Sequence, residues 1–291
     1  HASANVGSEG DAAVFFGREA EVEELWRRLP HRRLAAVIGP SGVGKTSLLR
    51  AGVIASRPPG WGALLFTPGA NPHRNLGRAL APELAGDSDA LRQLLSFEEA
   101  EIAVDLVGRW RKAHAEALLV VDQFEELFTL NPKASQEAFA TLLGRIAREA
   151  DVHVLLSLRD DFLIRCSEHE GLASVFESLT PLTGLGPSGL RKAVVEPAGR
   201  HGYRFEDDRL VEEMVQSVDG SRGALPLLAF ALARLWEMRD REGKVLTRRV
   251  YEETGGVAGA LAQHAEAALE RIGPGRQAIV RELFRNLVTA E

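Results

Sequence analysis

The sequence predicts an α/β protein: a parallel sheet with helices on both faces, followed by helical segments. Three observations lead there. Short β-branched and leucine-rich runs alternate with stretches of helical periodicity as far as Leu182. A glycine-rich octapeptide, residues 39–46, sits between one such run and a helix. Beyond about Gly184 the strand signals stop, and only helical patterns follow.

The elements fall in order along the 291-residue chain. Val22, Leu25, Trp26 and Leu29 share helical spacing and read as core packing. Residues 34–38 form a buried strand, and residues 46–55 a helix. Residues 63–66 give a second strand, with helical stretches to about Ala115. Residues 117–121 give a third strand, followed by a helix over 135–148. Residues 152–158 give a fourth strand and residues 176–182 a fifth. Helices are expected over 188–200, 207–218 and 224–239. In the second of these Leu210, Val211, Met214, Val215 and Val218 lie on one face. A further helical region begins near Thr247.

Composition narrows the function classes. Hydrophobic residues at 45% and charged residues at 26% suit a globular protein with a real core. A net charge of −6 lacks the basic bias of a general nucleic-acid binder. The cluster Arg27, Arg28, Arg32 and Arg33 reads as a solvated face. One cysteine, Cys166, rules out an intramolecular disulfide and a cysteine zinc site, and fits a reducing, cytoplasmic setting. With His169 and Glu170 near it in sequence only, Cys166 reads as a buried thiol. The histidines show no metal-ligand spacing. The longest apolar run, residues 224–233, falls short of the ~20 residues of a membrane helix and contains Pro226. Residues 1–13 read as a tag remnant or linker. The apolar stripe Ile279, Val280, Leu283, Phe284, Leu287 and Val288 runs almost to the last residue, so the chain is expected to be part of a longer protein.

The octapeptide carries the chemistry. Gly39-Pro40-Ser41-Gly42-Val43-Gly44-Lys45-Thr46 matches the phosphate-binding P-loop pattern at every defined position, between a strand and a helix. Glycines let backbone N–H groups turn toward phosphate oxygens, and the helix adds its positive end. Lys45 is expected to reach the β- and γ-phosphates, and the Thr46 hydroxyl to ligate Mg²⁺. Ser47 completes the first turn. The third strand ends in Asp122, the Walker B arrangement, where a carboxylate holds Mg²⁺ through water. Gln123-Phe124-Glu125-Glu126 follows. Glu125 is the expected water-polarising carboxylate and Glu126 its alternate. Either could instead be a helix N-terminal acid. Arg159, after the fourth strand, points to the γ-phosphate position, with an ion pair to Asp160 or Asp161 as the other reading.

With these residues in view, the chain resembles the STAND class of P-loop ATPases, the signal transduction ATPases with numerous domains. Within that class it is similar to the bacterial group called novel STAND type one. The resemblance rests on Phe16-Gly17-Arg18-Glu19, the P-loop, residues 122–128, residues 158–162, residues 223–228, and residues 255–261 with His264-Ala265-Glu266. It implies a P-loop NTPase core over residues 14–183, a helical lid over 184–243, and the start of a winged-helix-like domain over 244–291. It implies that Phe16, Gly17 and Arg18 pack near adenine and that Pro226 touches the base. The family motif is Gly-x-Pro; here Gly223-Ala224-Leu225-Pro226 is one residue longer. Arg159 matches the family's first sensor arginine. The resemblance also implies a switch, ADP-bound and closed at rest, ATP-bound and self-associating when active. Its sensor repeats and effector domain would lie elsewhere, and neither a membrane nor a nucleic acid is expected as partner. Two other readings stay open: a P-loop kinase, since Gly-Pro-Ser-Gly-Val-Gly-Lys also occurs in guanylate-kinase-like proteins, and a nucleotide-stabilised scaffold without turnover. No Leu-Ser-Gly-Gly segment of ABC-type ATPases occurs.

Overall fold

The structure, a computed structural model, describes residues 15–221 and 223–287. The segment expected to be a tag or linker and Val288 of the terminal stripe lie outside the described residues. The chain divides into two compact units, one ending at Leu185 and the other beginning at Gly186.

The first unit is built on a five-stranded sheet in the order β2-β3-β4-β1-β5, with every pair parallel. The strands are β1 (Leu34–Ile38), β2 (Trp61–Phe66), β3 (Glu116–Val121), β4 (His153–Leu158) and β5 (Leu179–Pro181). Parallel strands need crossovers, and helices supply them. They are α1 (Glu19–Arg28), α2 (Lys45–Ser47), α3 (Pro72–Leu80), α4 (Ser88–Gln93), α5 (Ala100–Lys112), α6 (Glu125–Leu130), α7 (Lys133–Glu149) and α8 (Leu163–Cys166). The helix after the P-loop is less regular than the sequence pattern implies, because α2 widens into a π-helical stretch over Leu48–Ile54.

Strand alternation splits the core into two layers. Ala35, Val37, Leu118, Val120 and Leu155 face Leu48, Leu49 and Val53 beyond α2, with Leu25 and Leu29. Ala36, Leu119, Val121, Val154 and Leu156 face Leu76, Leu106, Trp110, Phe139 and Leu142. Trp26 packs against the first layer, and its indole N–H donates to the Val53 carbonyl at 3.2 Å. Cys166 is buried in the second layer, where burial pushes its thiol up to about 12. That agrees with an unreactive core thiol.

The fifth strand is shorter than predicted. Residues 176–182 read as a fifth strand, but Glu170–Glu177 winds into 3₁₀ turns. Three-residue spacing there buries Leu172 and Val175 and leaves Phe176 exposed. Only Leu179–Pro181 pairs with β1, tied by Ala36 N–H to Ser178 O and Leu182 N–H to Ile38 O.

The second unit is mainly helical: α9 (Pro187–Arg200), α10 (Asp208–Gln216), α11 (Ala224–Glu237), α12 (Arg248–Glu253), α13 (Gly256–Ile272) and α14 (Gln277–Leu287). The predicted face of α10 is buried, Leu210, Val211, Met214 and Val215 included. Asp207 caps α10 by accepting from Leu210 N–H at 2.7 Å. One expectation fails here, for strands do not end at Gly184. Arg204–Phe205 and Val245–Leu246 form a parallel pair, β6 and β7. Two residues per strand are too few for an alternation signal in sequence.

One close approach in the first unit tests the packing. Gly144 of α7 meets Gly171 so tightly that a Cβ on Gly144 would lie 2.6 Å from the Gly171 carbonyl oxygen. Gly144→Ala should destabilise the protein by about 1–3 kcal/mol, the usual cost of overpacking, in chemical denaturation. An unchanged midpoint would show that α7 can shift.

Candidate nucleotide site

The P-loop occupies the carboxyl end of β1. Gly39 passes against the Leu182 carbonyl, leaving no room for a side chain. Gly42 and Gly44 take φ of 76° and 96°, a region that disfavours side chains. Gly44 caps α2, so Lys45, Thr46 and Ser47 form its first turn. The Lys45 ammonium turns back on its own loop, donating to Gly39 O at 2.7 Å and Pro40 O at 3.0 Å. Burial pushes Lys45 below its ordinary value. The carboxylates of Glu125, Asp122 and Asp160 oppose that shift, and Arg159 adds to it. Lys45 thus shares one electrostatic neighbourhood with Asp122, Glu125, Arg159 and Asp160.

Arg18 is held against the P-loop. Only 4% exposed, it donates from one guanidinium nitrogen to Val43 O at 3.0 Å and Thr183 O at 2.7 Å, and from another to Glu21 at 2.8 Å. It therefore clamps the P-loop to the segment after β5. Gly17, at φ 90°, donates its N–H to Glu19, and Phe16 beside it is half-buried. The sequence showed the motif but not this clamp, whose partners lie 25 and 165 residues away.

At the end of β3, Asp122 is 1% exposed. Its Oδ1 accepts from Gln123 N–H at 3.0 Å, and its Oδ2 has no hydrogen-bond partner. Gln123 takes a left-handed φ of 53°. Phe124 then donates its N–H to Ser157 O of β4 at 2.7 Å, and α6 begins. The two glutamates part company there. Glu126 Oε2 accepts from Gly69 N–H at 3.0 Å, fixing the loop after β2. Glu125 Oε2 is buried without a partner. Glu125 thus differs from Glu126 in holding a buried oxygen with no partner, while Glu126 is tied to the loop by one of its two oxygens. Arg159 forms a bidentate pair with Asp161, at 3.0 and 2.6 Å, and lies over the Phe162 ring. Pro226 is exposed in the first turn of α11, in the second unit.

The residues suit a magnesium–nucleotide complex. Thr46 offers a hydroxyl, Asp122 an unpartnered carboxylate oxygen, and the loop a turn opened by Gly39, Gly42 and Gly44. Mg²⁺ takes oxygen ligands and keeps several of its waters. Among the described residues no cluster of three or more His, Cys, Asp or Glu side chains could hold a metal by itself. The metal would therefore be shared with the phosphates. Ser157, missed in the sequence reading, is the other buried polar atom beside Asp122. It was visible as the one hydroxyl in the apolar run of β4.

A family model described as novel STAND NTPase 1 matches residues 7–291. No curated protein is matched significantly by sequence. Among solved structures, a Walker-type ATPase of Pyrococcus abyssi is similar with a TM-score of 0.60 at 15% identity, over 94% of this chain and 76% of that one. The Orc1 protein of Aeropyrum pernix, solved with DNA, gives 0.52 at 18% identity, over 86% and 66%. Domain III of the Thermotoga maritima replication initiation protein DnaA gives 0.50 at 14%, over 83% and 95%. At these identities the likeness is one of fold.

The clamp is testable. Arg18→Ala leaves two carbonyls without their donor and should cost about 1–3 kcal/mol for each group left unsatisfied. Amide exchange should quicken at Val43 and Gly44 in nucleotide-free protein. Unchanged exchange there would mean that the P-loop holds its shape without Arg18.

Proposed function

Because the chain belongs to the novel STAND NTPase 1 family, we propose that it is the ATP- and ADP-binding regulatory module of a signalling switch, with slow magnesium-dependent hydrolysis. The observation that carries this reading is the pair of unpartnered oxygens on Asp122 and Glu125, in the neighbourhood of the P-loop lysine. A loop that only binds phosphate needs Lys45. A loop that hydrolyses also needs an acceptor for a proton from water.

In this reading backbone N–H groups from Gly39 to Thr46, with Pro40, Ser41 and Val43 shaping the turn, cradle the phosphates. Bound Mg²⁺ would supply charge neutralisation across the β- and γ-oxygens, held by Thr46 and, through water, Asp122. Lys45 exchanges its two loop carbonyls for phosphate oxygens. Glu125 orients the attacking water and takes its proton. Arg159 leaves Asp161 to meet the γ-phosphate, so ATP and ADP differ in what they can recruit. Phe16, Gly17 and Arg18 lie beside the base. Residues 14–183 form the catalytic core, 184–243 the lid and 244–291 the start of a winged-helix-like domain. The ATP state favours self-association, and sensor and effector parts belong to the longer protein. A reducing, cytoplasmic setting fits the single buried cysteine. No helix among the described residues is long and apolar enough to cross a membrane.

Single-turnover hydrolysis is the direct test. Glu125→Gln should slow it at least about a hundredfold, the lower range for a positioned base, while ATP affinity is kept. Glu126→Gln keeps an oxygen for Gly69 N–H and should stay within about threefold of the parent, because that hydrogen bond survives. Equal loss in both variants, or phosphorylated product on adding nucleoside monophosphates, would overturn the assignment.

Asp161→Asn should release Arg159 and favour ATP over ADP by roughly twofold to fivefold, the worth of an exposed ion pair. Calorimetry with both nucleotides checks this. An equal change for the two would remove Arg159 from the γ-phosphate.

A further inference from the structure

Ser157 is fully buried in β4, and its hydroxyl has no hydrogen-bond partner. A buried hydroxyl without a partner is unfavourable, and an alanine would fill the same place without that cost. Its position indicates what the hydroxyl does.

β3 and β4 pair with Val121 beside Leu156, so the next residues, Asp122 and Ser157, stand side by side. On its other side Ser157 pairs with Val37 of β1, two residues before Gly39. Alternation fixes the face. Leu118 and Val120 of β3, Leu155 of β4 and Val37 of β1 all pack toward Val43, Leu48 and Leu49 of the P-loop and the helix after it. Asp122 and Ser157 continue that alternation, which places both side chains under the P-loop. Asp122 Oδ2 is likewise buried and without a partner. The two orphan oxygens do not bond to each other. A shared third group, donating to the carboxylate and meeting the hydroxyl, satisfies both at once.

We propose that Ser157 is a positioning residue for the magnesium site: its hydroxyl, together with Asp122, holds a metal-bound water beneath the P-loop. This rests on the nucleotide-site reading above and adds to it a residue that no motif names. Mg²⁺ gives up its waters reluctantly, so a carboxylate that reaches it through water needs that water held in place. The Ser157 backbone supports the same spot, since its carbonyl accepts from Phe124 N–H at the start of the segment bearing Glu125. One residue of β4 thus supports the magnesium water through its side chain and the catalytic turn through its main chain.

The test is calorimetry of nucleotide-stripped protein with a β,γ-imido ATP analogue, in excess Mg²⁺ and again in excess chelator. The ratio of the two affinities measures the magnesium contribution. Ser157→Ala should lower that ratio about tenfold, as loss of an outer-shell partner does, and leave affinity in chelator unchanged. Its ligand-free melting temperature should stay level or rise, because the orphan hydroxyl is gone. Asp122→Asn is the control. If Asp122→Asn lowers the ratio and Ser157→Ala does not, the inference fails and the site reading stands. If Ser157→Ala weakens binding equally in both conditions, the hydroxyl serves P-loop packing and the inference fails. If neither variant changes the ratio, or the parent shows no magnesium contribution, the magnesium assignment itself fails and takes the inference with it.

Discussion

The parallel pairing of β3, β4 and β1 is the constraint on which the site depends. Registers of Val121 with Leu156 and of Ile38 with Leu158 bring three strands to their carboxyl ends in one row. Gly39, Asp122 and Arg159 each follow directly on the last residue of a strand. Within the sheet both faces are buried, and an unpaired carboxylate there would be costly. At the strand ends the same chain can carry charge. A one-residue slip of β3 against β4 would send Asp122 to the face packed by α5 and α7, so apolar packing of the two layers also aims the carboxylate.

Much of this was legible in the sequence because its signals are local. The P-loop is eight consecutive residues, and its glycines sit where the backbone turns left-handed or brushes a carbonyl. Strands β1 to β4 announce themselves as short apolar runs, and Asp122 as the residue that ends one. What stayed hidden depends on distant partners or on very short elements. Arg18 reads as part of a local motif, yet its partners are Val43 and Thr183. Residues 176–182 read as a strand from their apolar residues, but the burial of Leu172 and Val175 on 3₁₀ turns decides the first part of that stretch. Spacing after Asp122 favours Glu125 over Glu126, but the different surroundings of the two are not visible in the sequence. Gly69, a loop glycine more than fifty residues earlier, engages one oxygen of Glu126, whereas an oxygen of Glu125 is buried without a partner.

The candidate site holds Lys45 and Arg159 in pairs that a bound phosphate would have to displace in the proposed switch. Lys45 donates to Gly39 and Pro40 carbonyls, and Arg159 is chelated by Asp161. Neither cation waits idle, so what binding gains is the difference between old and new partners. The two exchanges are unequal. Lys45 leaves neutral carbonyls for an anion and gains under either nucleotide. In the proposed switch Arg159 would leave an exposed carboxylate, where an ion pair is worth little, and gain only when a γ-phosphate is present. In the proposed switch, the lysine provides affinity and the arginine provides the distinction between ATP and ADP.

The left-handed turn at Gln123 ties the metal side of the site to the water side. Had the chain continued as a strand beyond Asp122, alternation would have carried Glu125 to the opposite face of the sheet. One residue at φ 53° ends the strand and starts α6 within two residues, so the strand end presents Asp122 and the helix start presents Glu125 in the same neighbourhood. A non-glycine residue there costs on the order of 1 kcal/mol. It persists because its neighbours are fixed on both sides. Asp122 is bound into the ladder by its N–H to Phe66 O at 2.9 Å, and Phe124 is buried with its N–H on Ser157 O. The strained turn is thus a consequence of two anchors that cannot move. One of them belongs to the same serine whose hydroxyl lies beside Asp122, so in the proposed site the metal side and the water side would both be set from one strand.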